Sequence, residues 1–258
     1  MSDAAGAITA FRRFQRPAEE ARALERIARE PLQTRALDQF RRAIERAPDI
    51  RAALRDPRVL QVVTVAMGIP EGARQPGLAM RALLSDPNDN TSLVNRLADR
   101  RWKAAAEALR LDERGLDALR DPEIQARLAD GLNRARWRQQ LEESQPGLGD
   151  ALLFRERAAR GAEGPFAVLG DPVLRRVVTG GLGLPKSLAI QSVEAQARAL
   201  ESRLRLDRLN DPREVQRLAE RYLISRAGES GAAGPGAPSA GTSNALGLLG
   251  LPPGGLRV

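Results

Sequence analysis

Chemistry in a protein needs nucleophiles, bases, ligands or charge, and this chain of 258 residues carries a narrow set of them. It has no cysteine and no histidine. That removes thiolate catalysis, disulfides and cysteine-rich zinc sites, together with the commonest general base and metal ligand at neutral pH. Carboxylates remain. Asp86 with Asp89, and Glu142 with Glu143, are close enough in sequence to form acid–base pairs, but no partner base or glycine-rich loop accompanies either. A carboxylate hydrolase would require such a pair to converge in a cleft. The stretch DPNDNTSL at 86–93 is dense in oxygen ligands, like the start of a calcium loop, yet it lacks the turn glycine and places Leu97 where the twelfth-position acid belongs. Helix capping by Asn90 or Thr91 is the simpler expectation. GGLGLP at 180–185 resembles a phosphate loop but lacks Lys-Ser/Thr and sits where a helix ends rather than begins. No catalytic residue, metal site, cofactor or small-molecule substrate is expected.

Charge is the second candidate. Forty-one Lys and Arg face 33 Asp and Glu, and only Lys103 and Lys186 are lysines. A net charge of +8 invites nucleic acid. The signs alternate along the chain, however, as solvated helix faces do, and an arginine bias this strong commonly reflects a GC-rich genome. Nucleic acid is therefore not the expected partner. Trp102 and Trp137 lie beside arginines, in RRW and RARWR, and core packing with a charged flank is favoured over base stacking.

These residues must be carried by helices. Asp-Pro occurs at 56, 86, 121, 171 and 211, and all but the second run into apolar residues at helical spacing. Aspartate accepts the free amides of a first helical turn, and proline gives up a donor there that had no partner. After Asp211 and Pro212, Val215, Leu218, Ala219, Tyr222 and Leu223 share one face; Arg213, Glu214, Arg217, Glu220 and Arg221 take the other. Ile124, Leu128 and Leu132 recur at intervals of four after Asp121. No segment alternates as a strand. The expected fold class is all-α.

Two stretches repeat. LRDPRVLQVVTVAMGIP at 54–70 and LGDPVLRRVVTGGLGLP at 169–185 share eight of seventeen positions. Each begins at Asp-Pro (Asp56 and Pro57, Asp171 and Pro172) and ends at a glycine, Gly68 or Gly183, followed by an apolar residue and proline, the signature of a left-handed C-terminal cap. Their apolar runs predict two central helices buried on nearly all sides. NRLADRRW at 95–102 and QRLAERYL at 216–223 extend the likeness at an offset of 121 against 115, which reads as a duplicated unit, near 54–102 and 169–223, with one six-residue insertion. Loops are expected at 145–149 and 161–165, and a break near Pro31.

The helical domain is expected to span 1–226. From Ala227 the composition turns to Gly, Ala, Ser and Pro, a flexible tail that ends in an apolar cluster, Leu246, Leu248, Leu249 and Leu251, a candidate partner-docking motif in cis or in trans. No run reaches membrane-spanning length, and the start has no signal-peptide core, so a cytosolic product, or one exported without a cleavable signal, is expected.

In order, FRRFQRPAEEARALERIAREPLQTRALDQFRRAI, DPRVLQVVTVAMGIP, MRALLSDPNDNTSLVNRLADRRW, DPVLRRVVTGGLGLP and DPREVQRLAERYL resemble the domain of unknown function twelve-seventeen family, over roughly residues 10–226. That family occurs mainly in alphaproteobacteria and is commonly encoded among flagellar genes. The resemblance implies a non-enzymatic role in flagellar assembly or structure, with flagellar proteins as partners. The alternative carried beside it is an arginine-rich, nucleic-acid-associated or regulatory helical protein.

Overall fold

The computed structural model describes residues 2–161 and 164–232. All regular structure among them is helical: α1 Ser2–Phe14, α2 Pro17–Ala28, α3 Pro31–Arg46, α4 Ile50–Arg55, α5 Pro57–Ala66, α6 Pro76–Leu83, α7 Leu93–Arg96, α8 Arg101–Leu109, α9 Leu111–Arg114, α10 Leu116–Arg120, α11 Pro122–Ser144, α12 Leu148–Ala158, α13 Pro165–Gly170, α14 Pro172–Gly181, α15 Val193–Glu201 and α16 Pro212–Ala232. Short 3-10 turns occupy Pro70–Arg74, Lys186–Ile190 and Leu206–Asn210.

Asp-Pro starts four of these helices, by the mechanism the sequence implies. Asp56, Asp121, Asp171 and Asp211 each accept a hydrogen bond from the backbone amide two residues on, at 2.8–2.9 Å. The ends of α5 and α14 match bond for bond. Gly68 and Gly183 hold φ of +76° and +64°, a region that disfavours any Cβ. Ile69 N–H then reaches back to the Thr64 carbonyl at 2.8 Å, and Leu184 N–H to the Thr179 carbonyl at 2.9 Å. Both are Schellman closures. The two threonine hydroxyls also donate to equivalent carbonyls, Leu60 and Arg175.

Two hydrophobic cores result. One gathers Phe40, Ile44, Leu54, Val63, Leu83, Leu119 and Leu128 around α5; the other gathers Phe11, Leu148, Phe154, Val168, Val177, Leu218 and Tyr222 around α14. The 23-residue α11 joins them, extending about 35 Å at 1.5 Å per residue. Ile124, Leu128 and Leu132 on its first half belong to the α5 core, whereas Trp137 on its second half meets Ala23, Ile27 and Phe14. Helix α1 packs on α12 and α16, so the start of the chain completes the second unit.

The structure corrects several expectations. Neither α5 nor α14 is buried on nearly all sides: α5 leaves Pro57, Arg58 and Gln61 exposed, and α14 leaves Arg175 and Arg176. Glu214, expected on the polar face of α16, is buried beneath Arg208 and Arg217, its ion-pair partners. The repeat also continues in another register. NRLADRRW ends α7, crosses a loop and begins α8, while QRLAERYL lies inside α16. The equivalent segments are RLAD at 96–99 and RLND at 208–211, since Asp99 caps the Arg101 amide as Asp211 caps that of Arg213. The order α4–α5–turn–α6–α7–α8 is thus repeated as α13–α14–turn–α15–turn–α16, at an offset of 115 for the first two helices and 112 at the capping aspartates. Finally, α16 continues past Ala227 to Ala232, with Glu229 paired to Arg226 within the helix and to Lys186 outside it. The break near Pro31 falls where expected, and the loop expected at 145–149 is shorter, 145–147, because α12 already starts at Leu148.

Candidate functional site

The carboxylates at 86 and 89 and at 142 and 143 bond nearby backbone and side chains. Asp86 accepts from the Asn88 amide, and Asp89 from the amide and hydroxyl of Thr91, at 2.7–2.8 Å. Those bonds hold the exposed Asp89 carboxyl below its usual range, the hydroxyl contributing most. Neither Asn90 nor Thr91 caps a helix. Ser92 takes the position before α7 without capping a backbone amide, and Asn95 ties the loop down by donating to the Pro87 and Asp89 carbonyls and to the Ser92 hydroxyl. Glu142 accepts from the Gly147 amide and Glu143 from Gln139. Among the described residues no three acidic side chains form a metal-sized group. Both tryptophans are buried, Trp137 edge-on to Phe14 with ring centroids 5.3 Å apart.

The capping residues, by contrast, come together across the two units. Gly68, at the end of α5, points its carbonyl at two guanidiniums: Arg101 Nη1 donates at 2.6 Å and Arg157 Nη2 at 3.1 Å. Arg157 Nη1 also donates to Asp171 Oδ1 at 2.5 Å, while that carboxylate caps α14 through the Val173 and Leu174 amides. Arg101 is bidentate to Asp99 and bonded to Glu71. A C-terminal cap of the first unit and an N-terminal cap of the second are thereby clasped through Arg157, on α12. The side chains of Arg157, Asp171 and Arg101 are only 10%, 13% and 13% exposed. Burial pulls the Arg157 guanidinium below its ordinary pKa, against the pull of Asp171 and with the repulsion of Arg101. Burial acts the same way on Arg101, but its bonds to Asp99 and Glu71 outweigh it and raise the net value. Two cations among three anions are mutually satisfied, so this cluster joins helix ends and offers no free base or nucleophile. Gly68 and Asp171 are visible in the sequence as caps; Arg101 and Arg157 have no spacing that singles them out.

A second polar group lies within the second unit. Arg176 is bidentate to Asp150, and the Tyr222 hydroxyl donates to the same carboxylate at 3.1 Å. Burial, and then Asp150, push the Tyr222 phenol well above its ordinary pKa.

Surfaces remain. Two open grooves are present, one of about 530 Å³ between α3 and the start of α5, lined by Arg42, Arg46 and Arg58, and one of about 410 Å³ between α15 and α16, lined by five arginines. Ile190 is 90% exposed, Phe166 56% and Val193 51%, all on the second unit, where α13 packs on α15. Leu246, Leu248, Leu249 and Leu251 lie outside the described residues. No helix among the described residues is long and apolar enough to cross a membrane.

Fold and clasp together define an all-α protein of two related helical units locked end to end by buried ion pairs. Residues 73–215, more than half of the chain, match the family described as protein of unknown function (DUF1217), and the chain belongs to that family. The match runs through 103–165, where the sequence motifs are sparsest. The X-ray structure of protein AGR_C_984 from Agrobacterium tumefaciens is similar, with a TM-score of 0.70 at 22% identity over 86% of this chain and 94% of that one, a likeness of fold. No curated protein matches the sequence.

Proposed function

We propose that this protein is a non-enzymatic docking module of bacterial flagellar assembly or structure, working by protein–protein contact. The observation that carries the docking reading is the exposure of Ile190, Val193 and Phe166. Large apolar side chains left in water, here three on the second unit, are characteristic of interaction surfaces. The buried ionised groups support the same reading, because their bonds are spent on joining helix ends. Flagellar proteins are the partners proposed from the family's genetic context. The protein works in the cytoplasm or after passage through the flagellar secretion apparatus.

The test is capture from motile cells of the source species, with bound proteins identified by mass. The full chain, an Ile190→Asp/Val193→Asp variant and a chain ending at Ala232 are compared. Flagellar proteins retained by the full chain and lost with the double variant support the reading. Loss on truncation alone moves the docking element to Leu246–Leu251. Recovery of nothing flagellar refutes the context. A second reading, nucleic-acid association, would use the arginines of the groove between α15 and α16, and a steep fall of binding with salt would mark it.

A further inference from the structure

The two units differ at one interface, and the difference opens a site. In the first unit α6 packs on both α4 and α8. Ala79, Ala82 and Leu83 on α6 and Ala105, Ala106 and Leu109 on α8 are all buried in the first core. In the second unit α15 packs on α13, as α6 does on α4, but packs less closely on α16 than α6 does on α8. The packed face of α8, Trp102, Ala105, Ala106 and Leu109, has its like on α16 in Val215, Leu218, Ala219 and Tyr222, and Arg217 and Arg221 stand exposed beside it. There a groove of about 410 Å³ opens between the end of α15 and α16.

Five arginines line it, 203, 205, 208, 217 and 221, with Leu182 and Leu204 as its apolar part. Arg208 and Arg217 are bonded to Glu214, and Arg205 to Asp207. Arg203 and Arg221 have no carboxylate partner among the described residues. We propose that this groove binds an acidic segment of a partner protein, with Arg203 and Arg221 taking its carboxylates and the two leucines an intervening apolar side chain. The proposal rests on the docking reading above and names the chemistry of the partner. A peptide suits the groove better than a nucleic acid. Glu201 and Glu214 share the lining, and a backbone with one negative charge per about 1.7 Å of duplex would press against both. Spaced carboxylates can meet the free guanidiniums and miss the glutamates. Guanidinium–carboxylate pairing is charge-assisted and bidentate, so two free arginines are enough to set a register.

Fluorescence anisotropy on the full chain tests this. The probes are a labelled peptide of alternating glutamate and leucine, the same peptide with glutamine for glutamate, and a short single-stranded DNA. Arg203→Glu/Arg221→Glu is compared with Arg51→Glu/Arg55→Glu, an equal charge reversal on α4. Both pairs are exposed, and unchanged far-UV circular dichroism confirms folding. The expected result is binding of the glutamate peptide alone, weakened about tenfold or more by reversal at 203 and 221 and little by reversal at 51 and 55. Binding should also weaken as salt rises from about 0.05 to about 0.3 M, because the groove is open to solvent. Failure of the glutamate peptide to bind, equal loss in the two variants, or tighter binding of DNA with the same loss at 203 and 221 overturns the proposal. Capture of flagellar proteins by the Arg203→Glu/Arg221→Glu variant separates the readings: if it persists while the peptide is ignored, docking stands and the acidic groove falls.

Discussion

Arg157→Met tests whether the clasp holds the two units together. The methionine keeps most of the stem volume and removes the guanidinium, deleting the 2.5 Å pair with Asp171 and the 3.1 Å bond to the Gly68 carbonyl. Breaking a buried pair by removing one partner costs about 3–5 kcal/mol, because the remaining charge is left desolvated. Here the remaining charge is partly compensated. Asp171 still receives the Val173 and Leu174 amides, and the Gly68 carbonyl still receives Arg101. Repulsion between Arg157 and Arg101 is relieved as well. The expected loss is therefore below that range, about 2–3 kcal/mol, which for a chain of this size lowers Tm by about 4–12 °C. Urea unfolding followed by far-UV circular dichroism gives the free energy. Adding Asp171→Asn, which keeps a capping side chain, completes a double-mutant cycle whose coupling should reach about 1 kcal/mol or more. A loss within about 0.5 kcal/mol of wild type, the scale of ordinary surface changes, would refute the clasp.

Gly131→Ala should destabilise strongly, by about 1–3 kcal/mol even after the better helix propensity of alanine is credited. A Cβ there would meet the Ala66 carbonyl oxygen at 2.3 Å, and both partners are helix backbone that cannot swing aside; thermal unfolding of the variant reads the loss. Tyr222 is the only tyrosine in the chain, so tyrosinate absorbance follows it alone. Its phenol is raised in the folded state, so the stabilisation is fully present below the unfolded value of about 10 and is lost as pH rises from there towards the folded value. Tyrosinate should therefore appear together with unfolding, and Tyr222→Phe should flatten the alkaline loss of stability; ionisation near pH 10 in the folded protein would contradict the burial.

Much of the fold is legible because its punctuation is local. An aspartate two residues from the amide it caps, or a glycine at φ +76° followed by Ile69 and Pro70, is decided within one turn of chain. The one-sided periodicity of α16 and the four-residue spacing along α11 are equally local. The second half of the repeat misleads for a physical reason. RLAE inside α16 is a more conservative match to RLAD than RLND is, yet the equivalence rests on Asp99 and Asp211 being caps. Capping requires a helix to begin on the C-terminal side of the aspartate, and the tetrapeptide alone does not specify that. The clasp is not local at all. Arg157 lies 89 residues from Gly68 in sequence, and the two arginines that hold the cluster are two of thirty-nine. The open side of α14 hangs on Arg175 and Arg176, whose charge outweighs the valines that surround them in sequence.

Duplication also explains where function should be sought. Two copies that keep the same helix order, the same aspartate caps and the same Schellman closures share the constraints of folding, so those residues report on stability. Residues that differ while their backbone positions correspond are released from that shared constraint. Arg203 and Arg221 are such residues: they line the groove at the end of α15, outside the packed face of α16, and have no carboxylate partner among the described residues. On the second unit, the arginine groove at one end of α15 and the exposed Ile190 and Val193 at the other are about 12 Å apart along nine residues of helix. That distance is within the reach of one short segment of extended chain.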